Sequence, residues 1–307
     1  MARYRIRHSH LFLRKGPDRS LAWVEGRIRI GDLVALMICA EQARKVEGHE
    51  VAFQLMDETH RNLKADVLFR DTIDTWLTSE GPGYGLSDPD ALPILDPGAL
   101  WTAATLHHGR HGGTVIPRLN LDPAAYGGPA LPEGPYAVFH PLFDPPYNPK
   151  RGMDPAFVNA FAQALQAALG DRVVLITDRP ELIQAPIRVV SSESLYDLVY
   201  LIGHARVHVG GDTGLTHFAA AARVPHLFAL YGPHHGQDAA SALAAWIHGE
   251  LVPPFVAPAA YLGVAPDTRP KVDPGATKLH VQYLEDHALS PTTQAAFAAW
   301  IADLLAR

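Results

Sequence analysis

Cysteine is almost absent from the 307 residues: Cys39 stands alone, so the chain cannot form an internal disulfide. Long apolar runs are missing too, and none reaches the roughly 18 residues that a membrane-spanning helix needs. The basic first residues are not followed by the apolar stretch of a secretory signal. These absences predict a cytoplasmic protein without a transmembrane segment. Cys39 lies in an apolar helical pattern, which predicts a buried and inert thiol.

Charge is also scarce. Charged residues make up 19% of the chain against 48% hydrophobic residues, which supplies a core and excludes wholesale disorder. The net charge of -6 predicts no nucleic-acid partner. Residues 1–30 depart from this balance, with eight Arg or Lys against two Asp or Glu. They form either the solvated surface of a hairpin or a patch that meets anionic lipid, which would make the protein peripheral on the cytoplasmic membrane face.

The first part of the chain predicts a hairpin followed by a parallel βαβ unit. Two alternating segments, 10–14 and 21–25, flank the turn residues Gly16-Pro17-Asp18. Helical spacing of apolar residues then follows Gly31-Asp32, and residues 50–55 predict the next strand. Residues 80–135 are rich in Gly and Pro, which predicts loops and a domain boundary near residue 134.

The second part alternates strands and helices in a regular order. Strands are predicted at 136–140, 172–176, 187–190, 207–209 and 226–230, and helices at 154–170, 194–202 and 215–222. The alternation predicts an α/β fold with two Rossmann-like, doubly wound parallel-sheet domains that face a cleft. The predicted domains are 1–134 and 135–290, with a closing helix at 291–307 that packs back on the N-terminal domain.

The segment Val207–Pro233 carries the strongest chemical signal. Its apolar strand ends in Gly210-Gly211 and is followed by Asp212-Thr213-Gly214 and an Ala-rich helix. Glycines permit a ligand to approach the backbone, and a helix N-terminus offers unpaired N–H groups to a diphosphate. The alternative is that Asp212 or Thr213 is only a helix N-cap. We favour ligand binding, because capping explains neither the two glycines nor His217 one turn later.

This segment resembles glycosyltransferase family 9, the ADP-heptose:lipopolysaccharide heptosyltransferases, whose pattern is D-[TS]-G-x-x-H-x-[AT]-A-A followed by a Pro, a strand and G-P. The resemblance implies the GT-B architecture, with a C-terminal domain that binds the nucleotide-sugar donor and an N-terminal domain on the acceptor side. It implies donor-binding roles for Gly31, Glu181, Gly211, Asp212, Thr213, Gly214 and His217.

Two further positions follow from the resemblance. Asp32 of Gly31-Asp32 is expected to be the general base, with an N-cap as the alternative. Lys150, beside Arg151, is expected to neutralise the leaving diphosphate, with an exposed basic pair as the alternative. Asp178 competes with Glu181 for the contact with the nucleoside. Histidines at 107, 108, 111, 234 and 235 lack the accompanying ligands of a metal site, so we expect no metal and no cofactor besides the donor.

The predicted activity is therefore an inverting, metal-independent glycosyl transfer. The expected donor is ADP-heptose, and the expected acceptor is a lipopolysaccharide core, another glycan or a glycolipid at the inner membrane surface. Two alternatives stay open: a non-catalytic nucleotide-sugar-binding protein, and an epimerase or hydrolase of nucleotide sugars on the same fold.

Overall fold

The computed structural model describes residues 8–14, 20–26, 30–46, 48–55, 62–78, 117–143, 152–211, 213–231, 249–251, 277–284 and 287–307. The chain divides into two compact units. Described residues up to Tyr126 form the first unit, and those from Gly127 onward form the second. The division falls shortly before the predicted boundary near residue 134.

The first unit contains a mixed four-stranded sheet. Its strands are β1 (His8–Arg14), β2 (Ser20–Gly26), β3 (Glu50–Leu55) and β4 (Thr75–Thr78), in the order β2-β1-β3-β4. Strand β1 is antiparallel to both β2 and β3, whereas β3 and β4 are parallel. The predicted hairpin is confirmed. The prediction of a wholly parallel sheet is wrong for this unit, because the hairpin places β1 between β2 and β3, the two strands of the predicted βαβ unit.

Helix α1 (Ile30–Lys45) connects β2 to β3 and is buried almost all round, from Gly31 to Ala43. A helix that is apolar on all sides needs such an enclosed place. Its buried Glu41 accepts a hydrogen bond from Thr72 Oγ1 at 2.9 Å. Cys39 is 4% exposed, which confirms the predicted buried thiol. A short helix, α2 (Ala65–Leu68), precedes β4.

The second unit contains a seven-stranded sheet in which every pair is parallel. Its strands are β5 (Ala137–His140), β6 (Val173–Ile176), β7 (Arg188–Val190), β8 (Val207–Gly210), β9 (His226–Tyr231), β10 (Gly249–Leu251) and β11 (Thr277–Tyr283). Their order is β10-β11-β9-β8-β5-β6-β7. The chain builds from β5 through β6 to β7 in one direction and from β8 to β9 in the other, as in a Rossmann fold, and β11 then lies between β9 and the edge strand β10. This confirms the α/β fold class and the doubly wound sheet predicted here.

Four helices of the second unit begin after an N-cap residue whose side chain accepts a backbone N–H group. They are α3 (Pro155–Leu169), α4 (Leu195–Gly203), α5 (Gly214–Ala221) and α6 (Pro291–Ala306). Their N-cap side chains accept backbone N–H groups and belong to Asp154, Ser194, Thr213 and Ser290. Helix α3 ends at Gly170, whose φ of 59° favours glycine.

The C-terminal helix α6 packs within the second unit. Its Phe297 and Ile301 are fully buried in that unit's core, and the rings of Phe297 and Phe161 of α3 meet edge-on at 6.2 Å. The prediction that this helix packs back on the N-terminal domain is therefore corrected, since its apolar face completes the core around α3. Among the described ranges, no helix combines the length and apolar character required to cross a bilayer.

Candidate functional site

The candidate site lies where the strand order of the second unit reverses. Strands β5 and β8 are neighbours there, and His140 at the end of β5 is in register with Gly210 at the end of β8. Parallel sheets bind ligands outside the carboxyl ends of their strands at such a switch point. Gly211 and Thr213 follow β8 directly and lead into α5.

The two glycines are held in close packing. A Cβ at Gly210 would lie 2.8 Å from His208 Nε2, 3.1 Å from Thr216 Oγ1 and 3.3 Å from the His140 carbonyl oxygen. At Gly211 it would lie 3.3 Å from Met153 Cε and 3.8 Å from the Leu230 carbonyl oxygen, and Gly211 is buried. We expected these glycines to admit a ligand to the backbone. The structure shows instead that the space beside Gly210 holds protein side chains.

Thr213 caps helix α5. Its Oγ1 accepts the Thr216 N–H at 3.3 Å, and its carbonyl oxygen accepts the N–H groups of Thr216 and His217 at 3.1 and 3.3 Å. The capping role that the sequence left as an alternative is thus present. Among the described residues, no partner is found for the two preceding amides, those of Gly214 and Leu215. These N–H groups, together with the helix dipole, present a partial positive charge at the carboxyl edge of the sheet.

A chain of hydroxyl and imidazole groups runs behind the cap. Thr216 Oγ1 donates its one proton to the Gly211 carbonyl oxygen at 2.6 Å. Toward His208 Nε2 at 3.4 Å and Thr213 Oγ1 at 3.3 Å it can therefore only accept. His208 must then carry its proton on Nε2. Thr213 Oγ1 therefore gives its one proton to Thr216 Oγ1. Thr213 Oγ1 also lies 3.3 Å from His140 Nδ1, so with a proton on that nitrogen the Thr213 hydroxyl can donate to a ligand by turning away from Thr216.

Both imidazoles are neutral at neutral pH. Burial lowers the pKa of His140 to about 4. Burial, reinforced by the nearby His140, lowers the pKa of His208 to about 3. The ring centroids are 6.3 Å apart. The site therefore offers neutral hydrogen-bond donors and acceptors here, and the positive potential comes from the start of α5.

Glu181 lies at the same edge of the sheet, two strands away from β8. It belongs to a single turn of 3₁₀ helix after β6, and Arg179 Nε donates to its Oε1 at 2.5 Å. This hydrogen bond lowers the pKa of the exposed Glu181 carboxyl. Asp178, the competing candidate, is also exposed. The structure thus places both carboxylates at the carboxyl edge of the sheet, and their contact with a nucleoside stays a prediction.

Gly31 and Asp32 belong to the first unit. Helix α1 begins at Ile30, so Asp32 is its third residue and not its N-cap. The Asp32 side chain is 7% exposed. The capping alternative for Asp32 is therefore wrong, and its carboxylate lies in the first turn of a buried helix.

Several predicted residues fall outside the described ranges. These are Lys150, Arg151, Asp212 and the histidines at 107, 108, 111, 234 and 235. His217 is described and half-buried on the first turns of α5. Of the predicted donor-binding set, the structure brings Gly211, Thr213, Gly214 and His217 together at one helix start.

Three residues of this site were not among the predicted site residues: His140, His208 and Thr216. Thr216 stands three residues after Thr213, which is the spacing at which a cap meets the helix. His208 interrupts an apolar strand of the sequence, which is a signal for a buried polar role. In the described part of the chain, no group of three or more His, Cys, Asp or Glu side chains is placed to hold a metal ion.

Comparison with known families gives a match over residues 176–245 to the family described as glycosyltransferase family 9 (heptosyltransferase). The matched segment contains β8, the Thr213 cap and α5. The match confirms the predicted resemblance over these residues, which are 70 of the 307 in the chain. A search of curated proteins finds no matching sequence.

Three solved structures illustrate the likeness in fold. A family 9 glycosyl transferase from Veillonella parvula DSM 2008 is 12% identical over 68% of this chain and 79% of that one, with a TM-score of 0.48. The E. coli heptosyltransferase WaaC with ADP-2-deoxy-2-fluoro heptose is 18% identical over 56% of this chain and 45% of that one, with a TM-score of 0.34. The iron-containing dodecameric glycosyltransferase TibC from enterotoxigenic E. coli H10407 is 14% identical over 73% of each chain, with a TM-score of 0.42. At these values the structural likeness carries no argument about function, and the sequence match is limited to residues 176–245.

Proposed function

Since residues 176–245 match glycosyltransferase family 9, we propose that the chain transfers heptose from ADP-heptose to an acceptor hydroxyl with inversion at the anomeric carbon. The proposed acceptor is a lipopolysaccharide core or another glycan, used at the cytoplasmic face of the membrane. The observation that carries the proposal is the capped start of α5 at the switch point of a parallel sheet. A diphosphate fits such a place, because backbone N–H groups and the helix dipole meet it there.

In the proposed donor complex, the diphosphate lies against Gly211, Thr213 and Gly214. On binding, the Thr213 hydroxyl turns from Thr216 Oγ1 to donate to a phosphate oxygen, while His140 Nδ1, 3.3 Å away, donates to Thr213 Oγ1. Asp212 and His217 contact the sugar and the diphosphate. Glu181 or Asp178 accepts a ribose hydroxyl.

The proposed reaction is a single displacement. The acceptor oxygen attacks the anomeric carbon from the face opposite the diphosphate, and its proton passes to the Asp32 carboxylate. The bond from the anomeric carbon to the phosphate oxygen breaks, and the nucleoside diphosphate leaves with the electron pair. The start of α5, the Thr213 hydroxyl and Lys150 stabilise the negative charge that develops on the leaving group.

Asp32→Asn tests the base. Without a carboxylate to accept the proton, we expect transfer to fall by about 10²-fold or more, the range in which general bases contribute. Donor binding should be nearly unchanged, because the diphosphate is held by the other unit. Product formation and donor affinity are measured separately. Normal transfer by Asp32→Asn would overturn the assignment of this residue, whereas loss of donor binding would mean that the variant has damaged the fold.

A thermal-shift screen of ADP-, GDP-, UDP- and dTDP-sugars tests the donor. A ligand that binds only the native state raises the melting temperature, and we expect the largest rise with ADP-heptose. A larger rise with another nucleotide would replace the proposed donor without changing the reaction class. Incubation with the preferred donor alone then tests the alternatives: a free sugar or an epimer as the main product would identify a hydrolase or an epimerase.

Treatment with a chelator tests metal independence. Because α5 and Lys150 are proposed to neutralise the diphosphate, we expect transfer rates within about twofold of the untreated enzyme. Elemental analysis of the same sample shows whether a metal was present and removed. A large loss of activity that added metal restores would contradict this part of the proposal.

A further inference from the structure

A second concave site lies at the opposite edge of the same sheet, at the amino ends of β8, β9 and β11. Arg206 precedes β8, His226 is the first residue of β9 and Lys278 is the second residue of β11. With His280, Trp300 and Arg307 they surround a cavity of about 290 Å³. The cavity lies within the second unit and shares no residue with the switch-point site.

The cavity wall is basic. Arg206, Lys278 and Arg307 each carry a positive charge, and two imidazoles stand between them. Among the described residues that line the cavity, none is acidic. Like charges repel one another, and an anion between these cations reduces that repulsion.

The histidines of the wall are fixed in a stack. Lys278 is in register with His226, and His280 is in register with Phe228, so these side chains share one face of the sheet. The rings of His280 and Phe228 stack at 4.5 Å, and Trp300 meets His280 edge-on at the same separation. His226 Nδ1 lies 3.4 Å from His280 Nε2.

Two polar atoms of this wall are buried without a hydrogen-bond partner among the described residues. They are Arg206 Nε and His280 Nδ1, and the His280 side chain is only 1% exposed. A buried donor left unpaired destabilises the folded chain. Native proteins leave few such groups, so two beside one basic cavity call for an explanation. Both atoms are buried beneath the cavity wall, so an anion reaches them only after the wall side chains rearrange. His280 can then donate if His226 Nδ1 donates to His280 Nε2, which leaves the His280 proton on Nδ1.

We propose that this basic pocket binds a phosphate group, either as inorganic phosphate or on a small phosphorylated metabolite. Arg206, Lys278 and Arg307 neutralise the charge, and His280 donates a hydrogen bond. The cavity exceeds the size of a bare phosphate, and Trp300 gives it an apolar wall on which a sugar ring can lie. The bound phosphate group would link residues at the amino ends of three strands to α6, at the edge of the sheet opposite the proposed donor site.

The experiment is an NMR titration of the histidine ring signals in the full-length protein. Inorganic phosphate and a hexose phosphate are added in separate arms, with chloride at matched ionic strength as the blank. We expect saturable shifts of the His226 and His280 signals in a phosphate arm and none with chloride. Tighter binding of the hexose phosphate would identify a metabolite site, and equal binding would identify a site for inorganic phosphate.

Lys278→Gln is the variant, and Arg172→Gln is the matched control. Lys278 is exposed, so its loss leaves the core intact, and Arg172 also precedes a strand at this edge but lies outside the pocket. We expect Lys278→Gln to weaken phosphate binding at least fivefold and Arg172→Gln to leave it unchanged. Equal shifts with chloride, unmoved His226 and His280 signals, or equal affinity in both variants would overturn the proposal. None of these outcomes depends on whether the protein transfers sugar.

Discussion

The two edges of the second sheet differ in how they meet negative charge. At the carboxyl edge, the positive potential comes from backbone: the start of α5 with its Thr213 cap, beside neutral imidazoles. At the amino edge, it comes from side chains: Arg206, Lys278 and Arg307. Backbone donors are fixed by the fold and carry no full charge, whereas cationic side chains attract anions over a longer range and respond to salt.

The difference suits different tasks. A leaving diphosphate must be stabilised while it forms and released afterwards, and oriented backbone groups do this without reorganisation. A cluster of full charges favours retention of its anion. On the two proposals made above, one sheet holds a transient diphosphate at one edge and a resident phosphate at the other. The comparison can be tested by perturbing each edge in turn.

The largest effect is expected from pH, because each edge contains histidines with depressed pKa values. Burial lowers the pKa of His208 to about 3, and burial together with His226 and Lys278 lowers that of His280 to about 4. Between these values and the ordinary pKa of about 6.5, the unfolded chain binds more protons than the folded one. The contribution of these histidines to the free energy of unfolding is therefore fully present above pH 6.5 and is lost as the pH falls below that value. The slope is at most about 1.4 kcal/mol per pH unit for each of these two buried groups.

Urea unfolding between pH 5 and pH 8 measures this slope. His280→Phe keeps a ring beside Phe228 and Trp300 but removes the titrating group, so we expect a shallower slope below pH 6.5. His204→Gln, at the exposed C-cap of α4, controls for the removal of a surface histidine. A slope in His280→Phe equal to that of the unmodified chain would show that the amino edge does not contribute.

A smaller effect is expected from the glycines of the carboxyl edge. In Gly210→Ala the new Cβ lies 2.8 Å from the buried His208 ring and 3.3 Å from backbone at His140. Overpacking of this kind costs about 1–3 kcal/mol. In Gly211→Ala the nearest atom is the flexible end of Met153 at 3.3 Å, so the loss should be smaller. Chemical denaturation of both variants measures the difference, and equal stability would contradict the packing that we assign to Gly210.

The sequence predicts most of the second unit correctly, because each element there has a local signal. The helix after Asp154 ends at Gly170 as predicted, and the helix after Ser194 begins where the capping residue indicates. Strand β11 was not predicted, although His280 and Val281 lie in an apolar-rich segment, because its partner β9 is remote in the sequence. The pairing that makes it a strand is a tertiary property.

The first unit shows more clearly which features of a fold local sequence patterns cannot predict. Local patterns predict the hairpin and the strand after α1, but strand order is not a local property, so they do not reveal that β1 lies between β2 and β3. At the site, Thr213 and Gly214 follow from the resemblance and the capping pattern. His140 does not, because its role depends on a contact between the end of β5 and the start of α5 that the spacing of residues does not encode.

We expect the smallest change in stability from substitution of Thr213. The same substitution should distinguish the roles of the two edges of the sheet most clearly. Thr213→Val removes the oxygen that accepts the Thr216 N–H, and loss of an N-cap costs about 1 kcal/mol. It also removes the hydroxyl that we assign to the diphosphate, so affinity for the nucleotide donor should fall. Thr213→Ser keeps the oxygen, so we expect it to restore both the stability and the donor affinity. A Thr213 side chain that only caps the helix would not require the donor affinity to follow the hydroxyl in this way. Phosphate-induced shifts at His226 and His280 should be the same in all three proteins, because that pocket lies at the other end of the strands. If Thr213→Val left the donor affinity unchanged, the hydroxyl would have no part in donor binding, and Thr213 would be a helix cap alone.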